Sequence, residues 1–155
     1  MNKENLINDK FKESVKGLDE RVIANQDDWY AYVMNLPIQL RIVYTIVILH
    51  QQVFNGGFHQ YFLNGYGLFG YLTLDSLKII NAKFTMNLLK KVLQEVNSES
   101  LNVEAFRIKS FKRELNKIIN FDDELCEFLE KCDDEYYESQ EDLTDLLGQY
   151  LESVN

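Results

Sequence analysis

Apolar residues recur along this chain with the 3.6-residue period of α-helices, not with the two-residue alternation of half-buried strands. The segment at about 37–54 is apolar on nearly every side, and it starts with Pro37, the only proline in the sequence. Proline suits the first turn of a helix, and a helix that is apolar all round belongs inside a bundle. The pattern therefore predicts an all-α fold, a single-domain bundle of about six to eight helices around this buried central helix.

Weaker amphipathic patterns on both sides of the central segment predict the other helices. The domain is expected to span residues 1–155, with residues 1–25 forming a peripheral N-terminal helix that ends near Gly17. Asp27 or Asp28 is expected to cap a short helix before the central one. The helices predicted after the central one span about 58–63, 72–97 (as one or two), 104–119, 123–138 and 140–153.

The sequence Asn55-Gly56-Gly57 separates two apolar, aromatic runs. Asn-Gly is typical of tight β-hairpins, but the run before it has helical length and the run after it does not alternate. Glycine and asparagine also end helices in the left-handed conformation. We therefore predict a helix stop and a new aromatic helix that packs Phe58 and Tyr61 onto the central helix. Gln60 is predicted to hold this turn by hydrogen bonds.

The charge of the chain is distributed unevenly. The net charge is −9 at pH 7. From residue 122 onward there are 13 acidic residues and one base, Lys131, which makes −12; residues 1–121 hold 12 acidic and 15 basic residues, which makes +3. A surface of one sign attracts partners of the opposite sign. The acidic quarter therefore favours a basic protein partner and disfavours direct binding to nucleic acid.

The sequence contains few residues or motifs typical of catalysis or of metal and cofactor binding, which disfavours an enzyme. The N-terminus lacks the apolar region of a signal peptide and no apolar run is long enough to cross a membrane, so we expect a cytoplasmic protein. His50 and His59 are the only histidines, and no metal-binding spacing surrounds them. The glycine pair lacks the strand and spacing of phosphate loops, and no nucleophile motif is present. We predict a non-enzymatic protein without metal or cofactor.

Asp122 or Asp123 is expected to cap the helix at 123–138. On a helical wheel its apolar residues share one side, and most of its carboxylates lie on the opposite side. The last helix repeats this arrangement. The carboxylates predicted to bind a partner are Asp123, Glu127, Glu130, Asp134, Glu138, Glu141 and Asp145.

Two other interpretations of these carboxylates stay open at the level of sequence. They can form a solvated face that keeps the protein soluble. Alternatively, the basic helix that carries Lys109, Lys112, Arg113 and Lys117 can face them within the fold and neutralise much of their charge. If this basic helix faces the carboxylates in the fold, their charge is neutralised internally; if it lies elsewhere, they stay free for solvent or a partner.

The segments "LPIQLRIVY" (36–44) and "VFNGGFHQYFLNGYG" (53–67) resemble the bacterial DNA-mimic protein family. The segment "DDEYYE" (133–138) is similar to the acidic segment with paired tyrosines that this family carries before its last helix. The main motif residues, which the resemblance assigns to the fold, are Pro37, Arg41, Asn55, Gly56, Gly57, Phe58, Gln60 and Tyr61.

This resemblance implies a small, acidic, all-helical domain that forms a homodimer. It also implies that surface carboxylates imitate DNA phosphates and occupy the DNA-binding face of a helix-turn-helix transcription factor. Two alternatives stay open: an immunity-type inhibitor of a nuclease toxin, and a domain with a ligand pocket near Phe58 and Tyr61.

Overall fold

The helical periodicity is realised throughout residues 2–154, the part of the chain that the computed structural model describes, and no strand occurs there. Eight of its α-helices have nine residues or more, which confirms the all-α prediction. A 3-10 turn, Tyr66–Phe69, follows the fourth helix. In chain order the α-helices are α1 (Lys3–Ser14), α2 (Glu20–Ile23), α3 (Gln26–Asn35), α4 (Ile38–Leu63), α5 (Gly70–Ile79), α6 (Lys83–Val96), α7 (Val103–Phe111), α8 (Asn116–Ile119), α9 (Asp123–Glu138) and α10 (Leu143–Val154).

Helix α4 is the predicted central helix. Its residues Ile42, Val43, Leu49 and Val53 have no exposed surface, and α1, α3, α5, α8, α9, α10 and the 3-10 turn all contact it. Pro37 was expected in the first turn, but it is the N-cap residue just before that turn, a position that also suits its fixed φ and missing backbone donor. Each fully buried aliphatic side chain contributes about 1.5–3 kcal/mol, so this helix supplies much of the hydrophobic stabilisation.

Gly57 interrupts α4 as a kink. Its φ of 81° and ψ of −179° lie in a region that is open almost only to glycine, while Asn55 and Gly56 keep helical angles. The helix that continues from Phe58 buries Phe58, Tyr61 and Phe62. The predicted interruption is therefore present at Gly57, although the two halves remain joined within one helical element.

Two predicted boundaries were wrong at helix starts. Asn25, not Asp27 or Asp28, caps α3, because its side chain accepts a hydrogen bond from the backbone N–H of Asp28 at 3.0 Å. The last helix begins at Leu143, and Asp142 caps it by accepting from the N–H of Asp145 at 2.9 Å. The cap of α3 was misplaced because several capping residue types occur in a row, and backbone geometry selects among them.

The helix predicted at 104–119 is wrong as one element. The structure ends α7 at Phe111 and forms the short α8 separately, because Arg113 adopts φ of 54° between them. The N–H of Glu114 then bonds to the carbonyl of Lys109 at 3.0 Å, in the pattern of a Schellman cap. The Arg113 guanidinium also donates to the carbonyl of Asn64 at 2.8 Å, and this distant contact is not visible in the local sequence.

Helix α1 packs against both α4 and α10 and buries Leu6 and Ile7. Helices α5 and α6 form a hairpin through Asn81, whose φ is 64°, which resolves the predicted stretch 72–97 into two helices. Helix α9 packs against α4 and α6. Within residues 2–154, no helix is long and apolar enough to span a membrane.

Candidate interaction surface

Helix α9 presents a row of carboxylates to solvent. Its 16 residues rise about 24 Å at 1.5 Å per residue. The side that packs on α4 and α6 buries Leu125, Leu129, Cys132 and Tyr136. The opposite side exposes five of the predicted carboxylates, which together we call the acidic face: Asp123, Glu127, Glu130, Asp134 and Glu138.

Little of the acidic face is neutralised within the fold. Among residues 2–154, the one ion pair that involves it joins Glu127 to Lys131 at 3.6 Å, and both of these side chains are largely exposed. Such exposed pairs contribute less than about 1 kcal/mol. The next carboxylate on the flank, Glu135, pairs with Lys91 of α6 at 2.9 Å.

The basic residues at positions 109–117 do not cover the acidic face. Helix α7 packs against the 3-10 turn, while α9 packs against α4 and α6. Lys109 pairs with Glu99 at 3.1 Å, and Arg113 donates to backbone carbonyls. In the described part of the chain, no ion pair joins residues 109–117 to residues 122–152.

Glu141 lies elsewhere than expected, because it precedes α10 instead of belonging to it. Its carboxylate caps α6: it accepts hydrogen bonds from the N–H groups of Phe84 and Thr85, both at 2.9 Å, and from the Thr85 hydroxyl at 2.7 Å. A carboxylate at a helix N-terminus also interacts favourably with the helix dipole. Glu141 is thus engaged inside the fold.

Asp145 lies in the first turn of α10 and bonds to Lys3 of α1 and to Gln149. The hydrogen bond from Lys3 is the main reason why the pKa of Asp145 is lowered from its usual value of 3.8. The carboxylate therefore stays ionised, but it faces the N-terminal helix rather than the acidic face.

The kink of α4 is held by two side chains of α9. The Asp133 carboxylate accepts a hydrogen bond from the N–H of Phe58 at 2.8 Å, and the Tyr137 hydroxyl donates to the carbonyl of Val53 at 2.7 Å. Asp133 is half-buried, and burial is the main cause that raises its pKa above 3.8, while the bond from Phe58 opposes this shift. Sequence reasoning missed both residues, because their backbone partners are 75 and 84 positions away.

The amide side chains near the kink also form a network. Gln60 donates to Gln52 at 3.1 Å and accepts from Asn55 at 3.4 Å, and Asn64 donates to Gln52 at 2.9 Å. Gln60, which follows Gly57, is therefore linked to two amide side chains that precede it. Gln60 thus forms hydrogen bonds at the turn as predicted, but its partners are the amide side chains of Gln52 and Asn55 and not backbone groups.

Four aromatic rings lie where α4 and α9 meet, on the N-terminal side of the kink. Phe54 packs edge-on against Tyr137 with ring centroids 5.3 Å apart, and it also contacts His50 and Tyr136. The hydroxyl of Tyr136 lies 2.7 Å from Nδ1 of His50. Burial lowers the pKa of His50, so the imidazole is neutral at pH 7. This cluster lines one side of a cleft of about 340 Å³ that reaches residues 139–144.

The two histidines lie in separate environments. The Nε2 atom of His59 is 2.9 Å from the carbonyl of Ile118, and its ring stacks on Phe121. Within residues 2–154, no group of three histidine, cysteine or carboxylate side chains is placed to hold a metal ion. Each histidine packs against an aromatic ring and lies within hydrogen-bonding distance of an oxygen.

One family model matches this chain over most of its length. No curated protein and no solved structure matches it. The sequence model of the DMP19-like proteins matches residues 34–154, a range that runs from the end of α3 to the end of α10. It includes the kink of α4 and the whole acidic face. The chain therefore belongs to the DMP19-like protein family, which is of the DNA-mimic type.

Proposed function

We propose that this protein is a non-enzymatic modulator of DNA-mimic type, which presents its acidic face to a basic DNA-binding protein such as a helix-turn-helix transcription factor. The observation that carries this proposal is the outward row of five exposed carboxylates on α9, only one of which has a basic partner within 4 Å in the described residues. Membership of the DMP19-like family supports a role in protein binding.

The spacing of these carboxylates supports an electrostatic role. Neighbouring carboxylates on the acidic face are three or four residues apart, which corresponds to about 4.5–6 Å along the helix. Duplex DNA carries one charge per roughly 1.7 Å of axis, or 3.4 Å per strand. The acidic face therefore has a lower charge density than a DNA duplex. It nevertheless presents a linear series of anions to a basic surface that normally binds a DNA groove. Such complementarity speeds association and weakens with added salt.

The proposed partner-binding set is chosen by the exposure of each carboxylate. Asp123, Glu127, Glu130, Asp134 and Glu138 are the proposed contacts, since their side chains are exposed on one face. Glu141 and Asp145 are engaged inside the fold. The same acidic face would also suit an inhibitor of a basic nuclease. Identifying the bound protein as a transcription factor or as a nuclease distinguishes the two functions.

The resemblance to bacterial DNA-mimic proteins further suggests a homodimer in a bacterial cytoplasm. Light scattering of the purified protein, measured at several concentrations, tests the dimer directly. A mass that stays at 18.3 kDa at all concentrations would contradict it, and would leave the proposal for the acidic face untouched.

Affinity capture from extract of the source cells tests the acidic face itself. The variant under test changes Asp123, Glu127, Glu130, Asp134 and Glu138 to Asn or Gln. A matched control changes five exposed carboxylates that lie on other helices and in a loop, so that the net charge is the same: Asp9, Asp75, Glu95, Glu114 and Glu152.

We expect the wild type and the matched control to retain a basic DNA-binding protein in a salt-sensitive manner, and the acidic-face variant to lose it. Melting temperatures of all three proteins verify that each is folded. The proposal fails if the acidic-face variant recovers the same proteins with the same salt dependence as the wild type.

A further inference from the structure

Two aromatic rings are exposed next to the acidic face. Phe54 is 57% exposed and Tyr137 is 45% exposed, and their rings contact each other edge to face. Isolated exposed apolar residues are common on protein surfaces. These two rings instead form the wall of a cleft of about 340 Å³, and aromatic side chains in such positions are enriched where interfaces concentrate their binding energy.

The rings are held in place before any partner arrives. The Tyr137 hydroxyl is bound to the carbonyl of Val53, and Tyr136 behind the cleft is bound to His50. Phe54 contacts three of these rings at once. A preformed aromatic wall loses little conformational entropy on binding, which favours affinity.

The charges around the cleft favour a cation. Asp142 is among its lining residues, and Asp134 and Glu138 of the acidic face flank Tyr137 along α9. Glu141 also lines the cleft, although its carboxylate is engaged at the start of α6. None of the described residues that line the cleft is lysine or arginine. His50 also lines it, but the imidazole is neutral at pH 7 because burial lowers its pKa.

We propose that this cleft receives an arginine side chain of the basic partner, and that the guanidinium stacks on the ring of Phe54 beside Tyr137. This inference rests on the proposed function, since it assumes that a basic protein docks on the acidic face. It adds to that function a specific subsite, so that an aromatic contact supplements the long-range attraction between charges.

Arginine fits this site better than lysine. Its guanidinium is planar, stacks on aromatic rings and is less strongly hydrated than an ammonium group. The fold itself contains such a contact, because the Arg107 guanidinium lies 3.8 Å from the centroid of the Tyr30 ring. An apolar partner side chain would instead need to approach the carboxylates at the edge of the cleft, and their desolvation is unfavourable.

The test uses two fluorescently labelled probes, a deca-arginine peptide and a deca-lysine peptide, with binding measured by fluorescence anisotropy over a range of salt concentrations. The variant under test is Phe54→Leu, which keeps apolar volume but removes the aromatic face. Phe121→Leu is the matched control, because Phe121 is also 57% exposed but stacks on His59 outside the cleft. Melting temperatures verify that both variants are folded.

We expect Phe54→Leu to weaken binding of deca-arginine by about three- to tenfold, in line with a partly desolvated cation–π contact. Binding of deca-lysine should change less, and Phe121→Leu should bind both peptides as the wild type does. In proton NMR spectra, the arginine δ-methylene signals should shift upfield on binding to the wild type, and this ring-current shift should shrink in Phe54→Leu.

Other results separate the failure of the subsite from the failure of the function. If Phe54→Leu binds both peptides like Phe121→Leu, or weakens both to the same extent, the arginine subsite is wrong, while the acidic face can still bind. If the variant with a neutralised acidic face loses neither affinity nor salt dependence, the proposed function is wrong, whatever Phe54→Leu does.

Discussion

The carboxylate of Asp133 on α9 accepts a hydrogen bond from the backbone N–H of Phe58, the first residue after the kink of α4, across 75 positions of sequence. Four residues later on the same helix, Tyr137 donates to the carbonyl of Val53 on the other side of the kink. The helix that displays the acidic face outward is therefore also the helix that stabilises the kink of the central helix.

Removal of the Asp133 acceptor should destabilise the fold. We expect Asp133→Ala to lower the free energy of unfolding by about 1–3 kcal/mol, because it leaves the half-buried N–H of Phe58 unpaired. Asp133→Asn keeps an acceptor oxygen and should stay within about 0.5 kcal/mol of the wild type. Urea unfolding measures both. Asp134→Ala, one position along and exposed, is the control; if it is as destabilising as Asp133→Ala, the hydrogen bond is not the cause.

The raised pKa of Asp133 implies a specific dependence of stability on pH. Since the folded state raises this pKa above 3.8, mainly through burial, the folded protein binds the proton more tightly than the unfolded chain. The resulting stabilisation is fully present below pH 3.8 and is lost as the pH rises through the folded-state pKa. The wild type should therefore lose stability relative to Asp133→Asn as the pH rises from 3.8, and the difference should then become constant. A difference that does not change with pH would contradict the shift.

Gly57 should tolerate no side chain. A β-carbon there would collide with the Asp133 carboxylate, and the φ of 81° is strained for any L-residue. We expect Gly57→Ala to lower the free energy of unfolding by about 1–3 kcal/mol. A double variant with Asp133→Ala separates the two causes. If the collision contributes, the double variant loses less free energy of unfolding than the sum of the losses of the two single variants. If the losses are strictly additive, backbone strain accounts for the whole effect of Gly57→Ala.

Glu141 should behave as a helix cap instead of a surface carboxylate. Glu141→Ala removes the acceptor for two N–H groups and one hydroxyl at the start of α6, and we expect a loss of about 1–2 kcal/mol, the usual range for a lost N-cap. Glu138→Ala removes an exposed side chain on α9 and should change stability by less than about 0.5 kcal/mol. Thermal unfolding of both variants measures this difference. If the two substitutions destabilise the protein equally, Glu141 does not act as a helix cap.

The bond between Lys3 and Asp145 should be visible in the titration of Asp145. Lys3 holds the pKa of this carboxyl below 3.8, chiefly through a hydrogen bond. We expect Lys3→Ala to raise the Asp145 pKa towards that ordinary value, as followed by ¹³C NMR of the side-chain carboxyl. Because the folded-state pKa is depressed, the associated stabilisation is present above pH 3.8 and is lost as the pH falls through the folded-state pKa. Lys10→Ala, whose partner Glu13 lies on the same helix, should leave the Asp145 titration unchanged.

The central helix and the acidic face were predictable because both depend on periodicity within one segment. The apolar run at 37–54 indicated a buried helix, and α4 begins at Ile38 with its core residues inaccessible to solvent. Once 123–138 was identified as a helix, geometry alone separated Leu125 and Leu129 from the carboxylates on the other side. The interruption near Gly57 was likewise a local signal, since only glycine readily adopts its backbone angles.

The sequence by itself thus determined the helical class, the central helix, the site of the kink and the outward row of carboxylates on α9. Only the tertiary structure decided which carboxylates are engaged inside the fold: Asp133 at the kink, Glu141 at the start of α6 and Asp145 beside Lys3. The physical reason is that periodicity fixes the face on which a side chain lies, while its partner is fixed by elements that pack together from distant parts of the chain.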